Sequence, residues 1–128
     1  MNTLKKGDSL PDFECLNDKG NLVKSIDYKG KKLIVFFYPR ANTPGCTAEA
    51  CNLSENFDDL TKKGYSILGI SCDKVETQSK FSNKFSLKYP LLADTDKNLV
   101  KLFGVWGPKK FMGREYEGIH RMTFIFDE

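Results

Sequence analysis

The chain has 128 residues, of which 40% are hydrophobic and 12% aromatic, a composition typical of one globular domain over residues 1–128. The 20 basic and 17 acidic side chains leave a net charge of +3, too small and too scattered to indicate a nucleic-acid-binding surface. The sequence has no apolar run of about eighteen residues and no apolar leader, so we expect a cytoplasmic protein that does not cross a membrane.

The first predicted elements are a hairpin and a buried strand. Residues 13–17 and 22–24 form two short strands around the turn sequence Asp-Lys-Gly-Asn, which is typical of a β-hairpin. Residues 32–38 are almost continuously apolar, β-branched or aromatic. Such a run indicates a strand buried on both faces, as in a parallel sheet.

A helix with clear boundaries is predicted next. Thr43 is suited to the N-cap and Pro44 to the first helical position, where its missing N–H costs nothing. Gly64 is a suitable residue to end the helix. Between these limits apolar residues recur at helical spacing, at Ala50, Leu53, Phe57 and Leu60.

The second half of the chain continues the alternation of strands and helices. Residues 66–71 form a second buried strand, and Asp73 with Glu76 resembles a capping box at the start of a helix that runs to about residue 87. A short helix over 97–103 is followed by a loop rich in glycine and lysine, and residues 122–126 form the last strand. This order predicts an α/β fold that contains a right-handed βαβ unit.

Residues 38–46 join the first buried strand to the first helix, and function in such sheets gathers at this kind of junction. Cys46 falls in the first helical turn, where free N–H groups and the helix dipole favour its thiolate form. Thr43 can present its hydroxyl to the same point, and Pro39 fixes the backbone and shields the edge of the site. A cysteine beside a helix start is often an inert buried residue. The Thr-Pro start, the buried strand and a second cysteine five positions later together favour a reactive one.

Cys51 is the partner thiol suggested by this spacing. Five residues of helix span about 7.5 Å of rise and about 140° of rotation, whereas a disulfide tolerates Cα separations up to about 7 Å. Either Cys46 and Cys51 never pair, or the first turn unwinds after Cys46 is oxidised. We favour the second alternative, because a sulfenic acid next to a free thiol condenses readily to a disulfide.

The other two cysteines, Cys15 and Cys72, are expected to be structural. The four cysteines form no Cys-x-x-Cys pair and the chain has a single histidine, His120, which argues against a zinc site. The missing Cys-x-x-Cys pair also argues against a thioredoxin-type disulfide oxidoreductase.

The segment 39–46, Pro-Arg-Ala-Asn-Thr-Pro-Gly-Cys, resembles the Pro-x-x-x-Thr-x-x-Cys signature of peroxiredoxins. Its extension through Cys51 is similar to the peroxiredoxin Q, or bacterioferritin comigratory protein, branch of that family. The resemblance covers nearly the whole chain and includes residues 69–74, 91–94, 103–107 and 118–124.

This resemblance implies a thioredoxin-like fold with an N-terminal hairpin, in which Cys46 is the peroxidatic cysteine and Cys51 the resolving one. Arg121 matches the active-site arginine of the family, and a fixed cation there stabilises both the thiolate and the charge on the leaving oxygen. The implied substrate is hydrogen peroxide or an organic hydroperoxide, and the implied reductant is a thioredoxin-like protein. No metal, haem or flavin is expected, and members of this branch are often monomers.

The sequence departs from the family pattern at its end. Family members usually continue past Phe126 with another strand and a terminal helix, whereas this sequence ends at Glu128. We therefore expect an exposed apolar sheet surface. A non-catalytic interaction or chaperone-like module with the same fold is the alternative function.

Overall fold

The computed structural model describes residues 3–41, 44–111 and 113–127. Within these ranges the chain forms eight strands: β1 Glu14–Leu16, β2 Leu22–Lys24, β3 Lys32–Phe37, β4 Tyr65–Ser71, β5 Leu91–Ala93, β6 Trp106–Phe111, β7 Arg114–Ile119 and β8 Met122–Phe126. The same described residues form four α-helices: α1 Pro44–Glu55, α2 Phe57–Lys62, α3 Val75–Phe85 and α4 Asn98–Leu102. A 3₁₀ turn, Ser25–Tyr28, follows the first hairpin.

Strand β3 lies inside the central four-stranded sheet, whose order is β5-β4-β3-β8. β4 runs parallel to both β3 and β5, and β8 is antiparallel to β3. Alternate β3 side chains enter two separate cores, so that Val35 lies in the core that contains α4 residues and Phe36 in the core that contains residues of α1 and α3. This burial on both faces explains the continuous apolar run, and it confirms the predicted α/β class.

The N-terminal hairpin is also present. β1 and β2 pair antiparallel, with Cys15 opposite Val23. An isolated bridge between Asn17 and Leu92 joins the hairpin to the edge strand β5. The hairpin therefore contacts the edge of the sheet at a strand that comes much later in the chain.

The single helix predicted from Thr43 to Gly64 is wrong in one respect, since it is interrupted at Asn56. The Asn56 side-chain amide donates to the Asn52 carbonyl oxygen at 2.8 Å, a local bond that competes with regular helix geometry. The chain resumes as α2, and Gly64 follows its end with φ of 89°, as the C-terminal prediction requires.

The predicted capping role of Asp73 is wrong. Lys74 occupies the N-cap of α3 and makes no side-chain cap bond. The Asp73 carboxylate instead accepts hydrogen bonds from the Ala41 backbone N–H and from the Ser71 hydroxyl. The Asp73 oxygen that a capping box would use therefore accepts the Ala41 and Ser71 hydrogen bonds instead.

The loop predicted between the last helix and the last strand is largely a β-hairpin. β6 and β7 pair antiparallel from Trp106 opposite Ile119 to Phe111 opposite Arg114, and Met112 lies outside the described residues. Most β7 residues are exposed, so these strands lack the apolar alternation that marks a half-buried strand.

Strand β8 exposes one large apolar side chain, and the wider apolar sheet surface expected from the sequence stays a prediction. The Ile125 side chain pairs with Ile34 in register and is 64% exposed, whereas Phe124 and Phe126 point into the core. A groove of about 740 Å³ runs beside this strand and is lined by residues 4–10, 28–31, 33 and 123–127. Among the helices that the structure describes, none is long and apolar enough to cross a membrane.

Gly69 is packed so closely that a larger residue should destabilise the sheet. A Cβ atom there would lie 2.7 Å from Phe36 Cζ and 2.8 Å from Leu91 Cδ2. We expect Gly69→Ala to lower the free energy of unfolding by about 2 kcal/mol through overpacking, measured by urea denaturation. Ser66→Ala on the same strand is the control and should change it by less than about 0.5 kcal/mol. Equal stability of the two variants would contradict the packing argument.

Candidate active site

Cys46 is the third residue of α1 and is only 1% exposed. It sits beyond the carboxyl end of β3, at the junction where the sequence predicted a site. Thr43 lies outside the described residues, so its capping role and its hydroxyl contact stay predictions.

Arg121 contacts the sulfur directly. Its Nη2 atom donates to Cys46 Sγ at 3.1 Å. Strand pairing accounts for this approach, because Phe37 at the end of β3 is opposite Met122 at the start of β8, one residue after Arg121. The structure thus brings together Cys46 and Arg121, two residues separated by 75 positions.

Gly45 leaves room for the guanidinium. A Cβ atom at this position would lie 3.3 Å from Arg121 Nη2, closer than ordinary van der Waals contact. The absence of a side chain therefore allows the arginine to cross the helix start and reach Cys46.

Glu49 lies one helical turn beyond Cys46. Partial burial raises the pKa of its carboxyl group, and the charge of Arg121 acts in the opposite direction. Its Oε1 atom is buried and has no hydrogen-bond partner among the residues that the structure describes. The guanidinium therefore acts electrostatically on a half-buried carboxyl group as well as contacting the cysteine sulfur.

Cys51 is half-buried and lies in the same unbroken helix as Cys46, and both are free thiols. The helix geometry that separates two such positions is intact, so the pair is not bonded in this state. Tyr89 donates its hydroxyl to the Ala50 carbonyl oxygen at 2.7 Å, and the Lys88 N–H donates to Ser54 Oγ at 3.2 Å. These two bonds hold the second half of α1 against the loop that precedes β5.

Pro39 is exposed at the start of the loop between β3 and α1. Tyr38 before it and Ala41 after it are both buried. The proline therefore marks the point where the chain leaves the sheet, and the shielding role predicted for its side chain stays a prediction.

Cys15 and Cys72 lie elsewhere, near Asp94. Burial, with a smaller contribution from Asp94, raises the pKa of Cys15 to about 12 and that of Cys72 to about 11. Within the described part of the chain, no group of three or more histidine, cysteine or acidic side chains could hold a metal ion.

Sequence reasoning missed three residues of this site: Gly45, Glu49 and Tyr89. Glu49 could have been found, because it is three positions after Cys46 and thus on the same helical face. Gly45 and Tyr89 carry no such signal, since their importance depends on the approach of Arg121 and of the loop before β5.

Comparison with known proteins agrees with this geometry. Residues 6–128 match the model of the AhpC/TSA family. Peroxiredoxin Bcp of Escherichia coli strain K12 is 48% identical over 127 residues, which cover 99% of this chain and 81% of that protein. Peroxiredoxin Bcp of Bacillus subtilis strain 168 is 41% identical over 126 residues, with 98% and 80% covered.

Solved structures give the same result. Peroxiredoxin Q of Xanthomonas campestris superposes with a TM-score of 0.85 at 31% identity, covering 90% of this chain and 73% of that one. Peroxidoxin BcpB of Mycobacterium tuberculosis superposes with a TM-score of 0.84 at 34% identity, covering 97% and 79%. The chain therefore belongs to the AhpC/TSA family and, within it, to the Bcp or peroxiredoxin Q group of thiol peroxidases.

The close approach over Gly45 predicts that a methyl group there reduces peroxidase activity. In Gly45→Ala the guanidinium must withdraw from Cys46, and we expect the second-order rate constant with hydrogen peroxide to fall about 3- to 10-fold. Thermal unfolding serves as the control and should show no loss of stability, because alanine favours helix more than glycine does. A rate constant equal to that of the unmodified protein would show that the guanidinium adjusts without cost.

Cys15 and Cys72 should be poorly reactive in the folded protein. Raising a thiol pKa from 9.0 to about 11 lowers the thiolate fraction near pH 8 about 100-fold, and the loss for Cys15 is larger. We expect iodoacetamide to modify both at least that much more slowly than in the urea-unfolded chain, as followed by peptide mass spectrometry. Labelling as fast as in urea would contradict the burial that raises these pKa values.

Proposed function

We propose that this chain reduces hydroperoxides with Cys46 as the peroxidatic nucleophile and Cys51 as the resolving thiol. The observation that carries the proposal is the 3.1 Å contact between Arg121 Nη2 and the sulfur of a buried cysteine in the first turn of α1. A guanidinium and free helix N–H groups both favour a negative charge on that sulfur.

In the first step the Cys46 thiolate attacks one oxygen of the peroxide. The new S–O bond forms as the O–O bond breaks, and the leaving oxygen takes a proton to become water or an alcohol. Cys46 is thereby oxidised to the sulfenic acid. The Arg121 guanidinium, the Cys46 backbone N–H and the Thr43 hydroxyl are proposed to hold the peroxide and the developing negative charge, and Pro39 to limit the edge of the site.

In the second step the first turn of α1 opens and Cys51 attacks the sulfenic sulfur. A disulfide forms and the hydroxyl group leaves as water once it is protonated. Opening at a helix terminus requires the loss of few contacts. The bonds from Tyr89 and Lys88 lie beyond Cys46, so they do not oppose movement of that first turn.

In the third step a thioredoxin-like dithiol reduces the disulfide and restores both thiols. The dithiol is itself oxidised to a disulfide, so one peroxide and one dithiol are consumed in each cycle. We propose a monomer for this reaction, since both cysteines and the arginine come from one chain.

One equivalent of hydrogen peroxide should convert Cys46 and Cys51 to a disulfide. The expected result is a loss of two hydrogen atoms in intact mass after thiol trapping, with the bond mapped to those two residues. Cys46→Ser should abolish peroxide consumption. Cys51→Ser should allow the first oxidation but block recycling by thioredoxin, because the sulfenic acid has no partner thiol.

Cys72→Ser is the matched control, since it removes another half-buried thiol that lies away from Arg121. It should consume peroxide with thioredoxin at the rate of the unmodified protein. Full turnover by Cys46→Ser would overturn the proposal. Folded protein whose thiols resist peroxide would instead favour a non-catalytic module.

A further inference from the structure

The loop that leads from β3 into the active-site helix is fastened to the neighbouring strand by one carboxylate. Ala41, the last described residue before α1, is 6% exposed, and its backbone N–H donates to Asp73 Oδ2 at 2.8 Å. Asp73 follows β4, the parallel neighbour of β3. The bond therefore links the carboxyl ends of two adjacent strands, five positions before Cys46.

The accepting oxygen is itself held in place. The Ser71 hydroxyl donates to the same Asp73 Oδ2 atom at 2.6 Å, and the Asp73 backbone N–H donates to Ser71 Oγ at 3.3 Å. Ser71 is fully buried. The carboxylate consequently has little freedom to move away from the Ala41 N–H.

Ser71 belongs to a larger buried network. The Tyr38 hydroxyl lies against Ser71 and donates to Gln78 Oε1, and Gln78 Nε2 donates to the Leu92 carbonyl oxygen at 2.7 Å. Tyr38, Ser71 and Gln78 are all fully buried. Each of these buried polar groups has a hydrogen-bond partner, and the groups belong to or adjoin β3, β4, α3 and β5. The network therefore fixes these elements relative to one another.

We infer that Asp73 is a positioning residue for the peroxidatic cysteine, acting through the Ala41 N–H and not through contact with substrate. The inference rests on the proposed function of Cys46. Cys46 Sγ has to meet Arg121 Nη2, which lies just before strand β8, so an error in the path of the β3–α1 loop moves the sulfur away from the cation. Displacement of reacting groups by about 1 Å can lower a rate about 100-fold.

The test compares Asp73→Ala, Asp73→Asn and Ser71→Ala for the second-order reaction with hydrogen peroxide at about pH 7, in competition with a haem peroxidase. Asp73→Ala should lower the rate constant about 10- to 100-fold, because the Cys46 sulfur is displaced from Arg121. Asp73→Asn keeps an acceptor oxygen and should stay within about 3-fold, and Ser71→Ala should fall between the two.

Asp94→Ala is the matched control. Asp94 is a buried carboxylate that accepts the Leu99 and Val100 backbone N–H groups at 3.1 and 2.9 Å, so its loss removes similar bonds at α4. This variant should unfold at a lower temperature and still keep the wild-type rate constant.

Three outcomes would overturn the inference. Asp73→Ala could retain the wild-type rate constant, or Asp73→Asn could lose as much activity as Asp73→Ala, which would assign the effect to charge. If Asp73→Ala does not fold, an unchanged rate constant in Ser71→Ala decides against the inference. The unmodified protein separates the two proposals. If it does not react with peroxide through Cys46, the proposed function is refuted. If it does react, the Asp73 variants test only the positioning role of Asp73.

Discussion

The contact between the Arg121 guanidinium and the Cys46 sulfur joins two segments that are 75 positions apart in the chain. A cation fixed at this distance stabilises negative charge on sulfur, but only while both partners are held. The fold meets this requirement through β3, which is flanked by β4 on one side and by β8 on the other. The helix that carries the cysteine follows β3, and the arginine immediately precedes β8.

Two polar arrangements then secure the partners from opposite sides. The Asp73 carboxylate and the buried groups around Ser71 hold the loop before α1. On the other side, the Lys109 ammonium group donates to the Ile119 carbonyl oxygen at 2.7 Å, and the His120 N–H donates to the Val105 carbonyl oxygen at 2.7 Å. The β6–β7 hairpin thus fixes the segment that presents Arg121. Precision at the sulfur arises from hydrogen bonds several residues away.

Residue patterns were sufficient for the parts of the molecule that local physics determines. The continuous apolar run of β3 and the Pro44 helix start correctly predicted that Cys46 lies in the first turn of the helix after β3. Both signals depend only on residues that are neighbours in the sequence. Local patterns failed where tertiary contacts compete with them. Asp73 has the spacing of a helix cap but accepts a hydrogen bond from the Ala41 N–H. The exposed β6–β7 hairpin lacks the alternation of apolar and polar residues that marks a strand. Arg121 was found by resemblance alone, since no local pattern separates it from a surface charge.

The bonds from Tyr89 and Lys88 to the second half of α1 have a consequence for the oxidised protein. They restrain the part of α1 that contains Cys51, so in the proposed cycle it is the Cys46 sulfur that moves, away from the guanidinium. The disulfide form then has neither nucleophile nor assembled pocket, and a second peroxide finds nothing to attack. In the proposed cycle, reduction of the disulfide lets the first turn of α1 form again and rebuilds the site. That cycle therefore leaves the enzyme inactive toward peroxide after each turnover, until its reductant restores both thiols.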